Sequence, residues 1–427
     1  MPMSVPVTYD LTRLILRSFA RNPNGIDRVD INLARHFSSS GSQQKFGVVL
    51  SRFRPLVVGS RTSAALIDAV NEGWRETQAA ANNVTLDAVR RRLTLPADSA
   101  YSPDARPRRI VRARQWPALA VVRLAALTLQ LATFRAIPRD SVFIHATQFP
   151  NAELFGWLDY RPDVKPVFFI HDLLPMSHPE VFTTRNADEF RKFLDIFLRY
   201  GRAAIVNTEF VKSEVIAFLR TRGCLDKKIF VAPMPAAPVF ARSMPPDNEL
   251  RAQPYFVICG TIEPRKNHLL LLDVWQELVR KDAAAAPKLV IIGNRGWKNE
   301  DVFDRLDRAS FVASHVTEVA GLSSSGVRHL IANARALLMP SIAEGYGLPI
   351  VEALAAGTPV IASDIAAFRE IGEGRITYCR CNDIGQWANA INSHTEWRPA
   401  IMNASDADNE LAWKRYYRDS EQFIAGL

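Results

Sequence analysis

The sequence predicts an α/β protein built from two doubly wound sheets, and three observations carry that prediction. At 427 residues the chain exceeds what one core usually supports and suggests about two domains. Short β-branched and aromatic runs alternate with helical patterns through both halves, the mark of βαβ units. Glycine-bearing turns near residues 25 and 347 each open a helix, an arrangement that receives a polar or anionic ligand.

Composition narrows the function classes. Apolar residues at 48% and charged residues at 23% exclude bulk disorder. The net charge of +9 points to nucleic acid, an anionic membrane face or a phosphorylated ligand. Eight arginines lie between Arg90 and Arg114 against Asp98 and Asp104. They lack a pattern of interleaved stacking aromatics, Tyr101 being the one aromatic among them, and form no recognisable module, so nucleic acid is not expected. Cys224, Cys259, Cys379 and Cys381 form neither a disulfide framework nor a paired zinc pattern, which suggests a reducing compartment. The first residues lack a secretory signal pattern, and Leu119–Phe134 is broken by Arg123 and too short for a confident membrane span.

In the first half, residues 8–19 read as a strand or extended lead-in. Asn22-Pro23-Asn24-Gly25 is a turn, and Ile26, Val29, Leu33 and Phe37 have helical spacing. Phe46–Leu50 and Val57-Val58 read as strands, and Ala64–Gln78 as a helix. Prolines 96, 103 and 107 make 90–116 irregular, and Leu119–Ala136 looks helical. A basic segment beside an apolar helix suits an anionic bilayer surface; a buried core helix with solvated flanks is the alternative. Ser141–Ala146 and Pro166–His171 are buried-strand runs, Ala203–Val206 another, followed by a helix over Phe210–Leu219 and a strand at Ile229–Met234. His171 ends its strand, where the carboxyl ends of a parallel sheet face a ligand crevice; Asp172 is placed to orient it, and His145 is a weaker candidate. Pro238–Ala252 is expected to link the halves.

The second half opens with the strand Tyr255–Gly260, then Thr261-Ile262-Glu263-Pro264-Arg265-Lys266-Asn267 and a helix over His268–Arg280. Arg265 is a rigid fork and Lys266 a flexible point charge, both suited to phosphate oxygens. Lys288–Gly293 is a strand, Ala309–Val312 and Val316–Val319 suggest two more, Leu330–Ala336 a helix and Leu337–Pro340 a strand. Pro340–Ala362 is the densest stretch: Glu344 and Glu352 flank a turn holding Gly345, Tyr346, Gly347 and Leu348, and Pro349 suits the first position of a short apolar helix that Gly357 closes. Gly345 and Gly347 permit close backbone approach, and the helix start presents N–H groups and a positive dipole end to a phosphate. Two carboxylates so placed reach different parts of one ligand, which marks a nucleotide site.

Glu-Gly-Tyr-Gly-Leu-Pro-Ile-Val-Glu resembles the E-x7-E motif of retaining glycosyltransferases of family 4, which have the two-domain GT-B fold. Ile-His-Asp-Leu-Leu-Pro and Glu-Pro-Arg-Lys-Asn are similar to phrases of the same family. The resemblance implies that Glu344 and His171 contact the donor sugar, Glu352 the ribose, and Lys266 the departing diphosphate, with Arg265 in support. Gly25, Gly260, Thr261, Gly293, Gly345, Tyr346, Gly347, Leu348 and Pro349 complete the implied donor site. Many members carry Arg where Thr261 stands, which puts a second cationic contact in doubt. The implied organisation is a Rossmann-like acceptor domain over 1–240, a Rossmann-like nucleotide-sugar domain over 250–405, and a helix over 406–427 that packs back on the first. The implied reaction is retaining transfer of a hexose, first mannose from GDP-mannose and otherwise from a UDP-hexose, to a glycan or lipid-linked saccharide. A cytoplasmic protein, peripheral at the inner membrane face, is expected to do this in exopolysaccharide, O-antigen or capsule synthesis. No Asp-x-Asp stands where a metal-dependent transferase would hold its cation, so no metal or cofactor is expected. A non-catalytic scaffold of the same fold is the alternative.

Overall fold

The computed structural model describes residues 5–17, 25–39, 45–50, 55–94, 136–148, 152–372, 374–396 and 406–427. Among these, thirteen strands form two sheets. The first holds β1 (Val7–Asp10), β2 (Lys45–Val49), β3 (Leu56–Gly59), β4 (Val142–His145), β5 (Lys165–Phe169), β6 (Ala203–Val206) and β7 (Lys228–Val231), in the order β3-β2-β1-β4-β5-β6-β7. Every pairing is parallel except β2 with β3. The second holds β8 (Tyr255–Cys259), β9 (Lys288–Ile292), β10 (Val316–Val319), β11 (Leu337–Met339), β12 (Val360–Ser363) and β13 (Ile376–Cys379), all parallel, in the order β10-β9-β8-β11-β12-β13.

Strand order reverses between β1 and β4 in one sheet and between β8 and β11 in the other. Crevices beyond the carboxyl ends of such strands are where doubly wound folds bind ligands. Each sheet is covered on both faces by apolar clusters, which explains why its strands read as continuous apolar runs. The last helix, Asp406–Ala425, returns to the first sheet's core, where Phe423 stacks on Phe230 at 4.8 Å and Tyr417 on His36 at 3.8 Å.

Several elements depart from expectation for local reasons. The first strand stops at Asp10, whose carboxylate accepts the Thr12 N–H at 2.9 Å and starts a helix over Thr12–Arg17. The helix expected over 64–78 runs from Ser60 to Thr94 and takes Arg90–Thr94 out of the region read as irregular. Val89 and Leu93, four apart, bury in the second sheet's core, so tertiary packing prolongs it. The rest of that basic segment and the stretch 119–135 lie outside the described residues. Residues 310–315 form a helix where 309–312 suggested a strand, because Val312 and His315 bury on one helical face. The linker contains two short helices, Pro238–Ala241 and Asn248–Ala252, the second capped by Asp247. Asp383 likewise caps an unanticipated helix, Ile384–Thr395.

Candidate active site

The Pro340–Gly357 stretch follows β11 beside the second sheet's switch point. Gly347 has φ +118° and precedes the helix Leu348–Ala355, and Gly357, at φ +74°, ends it; both need a conformation that residues with a Cβ avoid. A Cβ on Gly345 would lie 2.3 Å from the His171 carbonyl and 2.6 Å from the Asp172 Cβ. The Gly345 carbonyl accepts from Thr208 Oγ1 at 2.9 Å. Glycine is thus required where the loop meets the N-terminal sheet's crevice.

Glu344 is buried and triply held: Arg265 Nη1 lies 2.5 Å from Oε2, Ser341 Oγ donates to Oε1 at 3.0 Å, and Lys266 Nζ pairs with Oε1. Burial works against its charge, but the two cations override it and hold the carboxyl at about 2. Lys266 is buried as well; burial lowers its ammonium against the pull of Glu344. Gly260, at φ +141°, leaves room for that side chain, since a Cβ there would meet Lys266 Cε at 3.3 Å. Gly293 serves the same crossing from behind: its Cβ would fall 1.8 Å from the Gly260 carbonyl oxygen. Arg265 is clamped on its other side by buried Glu263 at 2.7 Å, and Asn267 ties the loop down through hydrogen bonds to the Pro340 and Cys381 carbonyls. Thr261 is exposed at the loop's start. Arg265, four residues later, supplies the guanidinium that reaches the Glu344 carboxylate.

Glu352 is 2% exposed and is met from the opposite domain, where Arg28 Nη2 donates to Oε1 at 2.7 Å. Burial raises its carboxyl above the ordinary value, with Arg28 opposing. Gly25 begins the helix Gly25–Ala34 that carries Arg28, and a Cβ on it would meet Leu348 Cδ2 at 3.5 Å. Across the cleft, His171 Nε2 donates to the Ala146 carbonyl at 3.2 Å and Nδ1 faces the Asn207 amide at 3.5 Å. Burial pushes the imidazole down to about 4, so it is neutral near pH 7. Asp172 does not orient that ring: its carboxylate caps the following turn at the Leu174 N–H, 3.2 Å away. His145 is fully buried against Asp10 at 2.7 Å and enclosed by Phe155, Phe168 and Phe193.

The structure therefore gathers Glu344, Lys266, Arg265, Gly260, Gly293 and Gly345 at one place, with the His171 backbone against the Gly345 loop, and the helix that carries Leu348, Pro349 and Glu352 meets the helix that Gly25 begins through Arg28. Tyr346 faces elsewhere: its hydroxyl donates to the Met234 carbonyl at 2.6 Å and its ring joins the N-terminal core. Sequence reading missed Arg28 and Glu263. Arg28 stands three residues after Gly25, in the first turn of a helix already placed at the cleft, and that position was the available signal.

Comparison with known proteins adds the family. Residues 242–402 match the family described as glycosyl transferases group 1. These residues are a glycosyltransferase group 1 domain. Relatives of the chain include the serotype-specific mannosyltransferase WbdA of Escherichia coli, 26% identical over 61% of this chain and 33% of its own length. Another is the O-antigen chain mannosyltransferase RfbU of Salmonella typhimurium, 38% identical over 26% of this chain and 30% of its own length. The chain spans about a third of the length of the WbdA relatives it matches. Among solved structures, Anabaena HepE in complex with UDP and glucose superposes with a TM-score of 0.58 at 14% identity, covering 99% of this chain and 98% of that one. Sucrose-phosphate synthase from Thermosynechococcus elongatus gives 0.52 at 17% identity, covering 74% and 79%. The fold is GT-B.

Proposed function

We propose that this chain is a retaining, metal-independent hexosyltransferase that moves mannose from GDP-mannose to a glycan or lipid-linked saccharide of a surface polysaccharide. The observation that carries the reading is the buried cluster of Glu344, Arg265 and Lys266 beside the helix that begins at Leu348. Two cations that share the Glu344 carboxylate, with Glu263 as the second counter-charge on Arg265, form a site ready to exchange partners. A donor diphosphate takes Arg265 and Lys266, which frees Glu344 to accept hydrogen bonds from sugar hydroxyls. As the bond between the anomeric carbon and the diphosphate oxygen breaks, those cations and the helix-end N–H groups stabilise the leaving oxygen. The acceptor oxygen bonds to the same face of the sugar, and its proton passes to the leaving phosphate. Glu344 positions and is not a nucleophile.

The mannosyltransferase relatives support the choice of mannose, and the pairing of Arg265 and Lys266 around Glu344 supports their role as the cations that meet the diphosphate. UDP-hexose is the second reading, favoured by the likeness to a structure holding UDP and glucose. No helix among the described residues is long and apolar enough to cross a membrane; a lipid-linked acceptor would bring a cytoplasmic enzyme to the membrane face peripherally. The test is a thermal-shift screen with GDP, UDP, ADP, dTDP and their sugar conjugates, with and without EDTA. A ligand that binds only the native state raises the melting temperature. A shift with GDP ligands that EDTA leaves unchanged is expected. A shift confined to UDP ligands selects the second donor, and no shift at all defeats the transferase reading.

A further inference from the structure

Arg28 is the N-terminal domain's one ion-pair partner of Glu352 among the described residues, and its geometry is fixed from three sides. On the same helix, Asp27 pairs with Arg13 at 3.0 Å and Arg17 at 2.9 Å, and Asp30 accepts from the Tyr9 hydroxyl at 2.6 Å. Those two carboxylates, three residues apart, anchor one helical face to the N-terminal core and turn Arg28 toward the other domain. Its guanidinium carbon lies 5.5 Å from the centre of the Phe240 ring in the linker, within cation–π range. Its Nε is buried with no hydrogen-bond partner among the described residues. A guanidinium that gives one N–H to a carboxylate and keeps another buried N–H unpaired is incomplete.

On the reading given above, we propose that Arg28 is a positioning residue for the nucleoside diphosphate. It holds and orients the Glu352 carboxylate for the ribose hydroxyls from across the cleft, and it offers its remaining N–H groups to the same ligand. Nucleotide binding is thereby tied to apposition of the two domains. The titratable and charged groups facing Glu352 are Arg28 and the Cys259 thiol at the end of β8, with Lys266 beyond that thiol. Burial keeps the thiol protonated, so Arg28 is the cation that favours the ionised Glu352.

The experiment is calorimetric titration of the full chain with GDP and with UDP from pH 6 to pH 9. It compares wild type with Arg28→Met, Arg28→Lys and Glu352→Gln, and ligand-free melts establish that each variant folds. Arg28→Met is expected to weaken binding of the preferred nucleotide about tenfold or more near pH 7, the usual scale for a charge-assisted hydrogen bond. That deficit shrinks as pH rises, because Glu352 then ionises unaided; Arg28→Lys falls between. A merely structural arginine would give no pH-dependent deficit and no graded rescue by lysine. Unchanged affinity in a folded Arg28→Met overturns the inference, and so does tighter binding, which would make the pair a lock that the nucleotide must break. If wild type binds neither nucleotide, the site reading fails and this inference with it. If Glu352→Gln loses binding while Arg28→Met keeps it, the inference alone fails.

Discussion

Glu344 and Glu352 stand eight residues apart on one loop and helix, yet the loop and the helix give them opposite electrostatic settings. The loop surrounds Glu344 with two cations from its own domain, and together they hold its carboxyl at about 2 despite burial. The helix leaves Glu352 with one cation, supplied by the other domain, and burial prevails. Under the proposed function, the carboxylate that yields its partners to a diphosphate is paired strongly and locally, so the cations are already in place when the ligand arrives. The carboxylate proposed to meet neutral hydroxyls has a single partner, supplied from across the cleft. On that reading one motif carries two kinds of preorganisation.

The strongest way to break this contrast is to remove one partner from each setting. Lys266→Ala and Glu344→Ala are expected to lower transfer by about 10²–10³-fold or more, as loss of a preorganised charge contact does elsewhere, read from kcat with saturating donor and acceptor. Stability separates the two regions further. Glu344→Gln strips the carboxylate from buried Lys266 and part-buried Arg265 and should cost about 3 kcal/mol, the lower end for opening a buried pair, measured by denaturant unfolding. Addition of the nucleoside diphosphate should return much of that loss. The double variant Lys266→Ala, Glu344→Gln should cost less than the sum of the singles, since the two groups are directly coupled. Additive losses would mean that they do not act as a pair.

Apposition of the domains can be broken without touching a charge. A Cβ at Gly345 would sit 2.3 Å from the His171 backbone oxygen, a contact that backbone cannot yield cheaply. Gly345→Ala should therefore push the loop away from the N-terminal crevice and reduce transfer about tenfold or more, since a displacement near 1 Å can cost far more than that. The Glu344 cluster lies wholly in the other domain, so diphosphate binding through Lys266 should fall less than transfer. Equal losses in both would show that the loop itself, and not the apposition, is damaged.

Much of the Glu344 region was legible before any coordinates because its parts lie in contiguous segments punctuated by glycine and proline. Glu263–Asn267 and Pro340–Gly357 each specify their own turn, and the strands that deliver them are unmixed apolar runs. The Glu352 region was legible only by half. The Arg28 contact joins residues 324 positions apart in different domains, and no local pattern encodes it. Tyr346 shows the same limit: it sits inside the most informative motif, but the partner of its hydroxyl, Met234, is chosen by tertiary packing. Short apolar runs such as 309–312 satisfy strand and helix spacing alike, and burial of Val312 in the second sheet's core, with His315 hydrogen-bonded to the Ala283 carbonyl, settles the helix there.

The smallest expected effect sharpens the contrast most, because its sign differs between the two glutamates. The folded-state carboxyl of Glu344 is depressed to about 2 from an unfolded value of 4.5, so its contribution to stability is present above the unfolded value. That contribution is lost as pH falls from about 5 toward 2. The Glu352 carboxyl is raised, so its protonated form is the one folding favours; its contribution is full below 4.5 and fades as pH climbs through the raised value. Glu344→Gln should therefore flatten the acid limb of a stability–pH curve. Glu352→Gln should flatten the limb above pH 4.5 and cost less at pH 7 than Glu344→Gln, since it takes the carboxylate from one cation rather than two and removes a charge that burial disfavours. Curves for the two variants that bend in the same direction would erase the distinction between the loop carboxylate and the helix carboxylate.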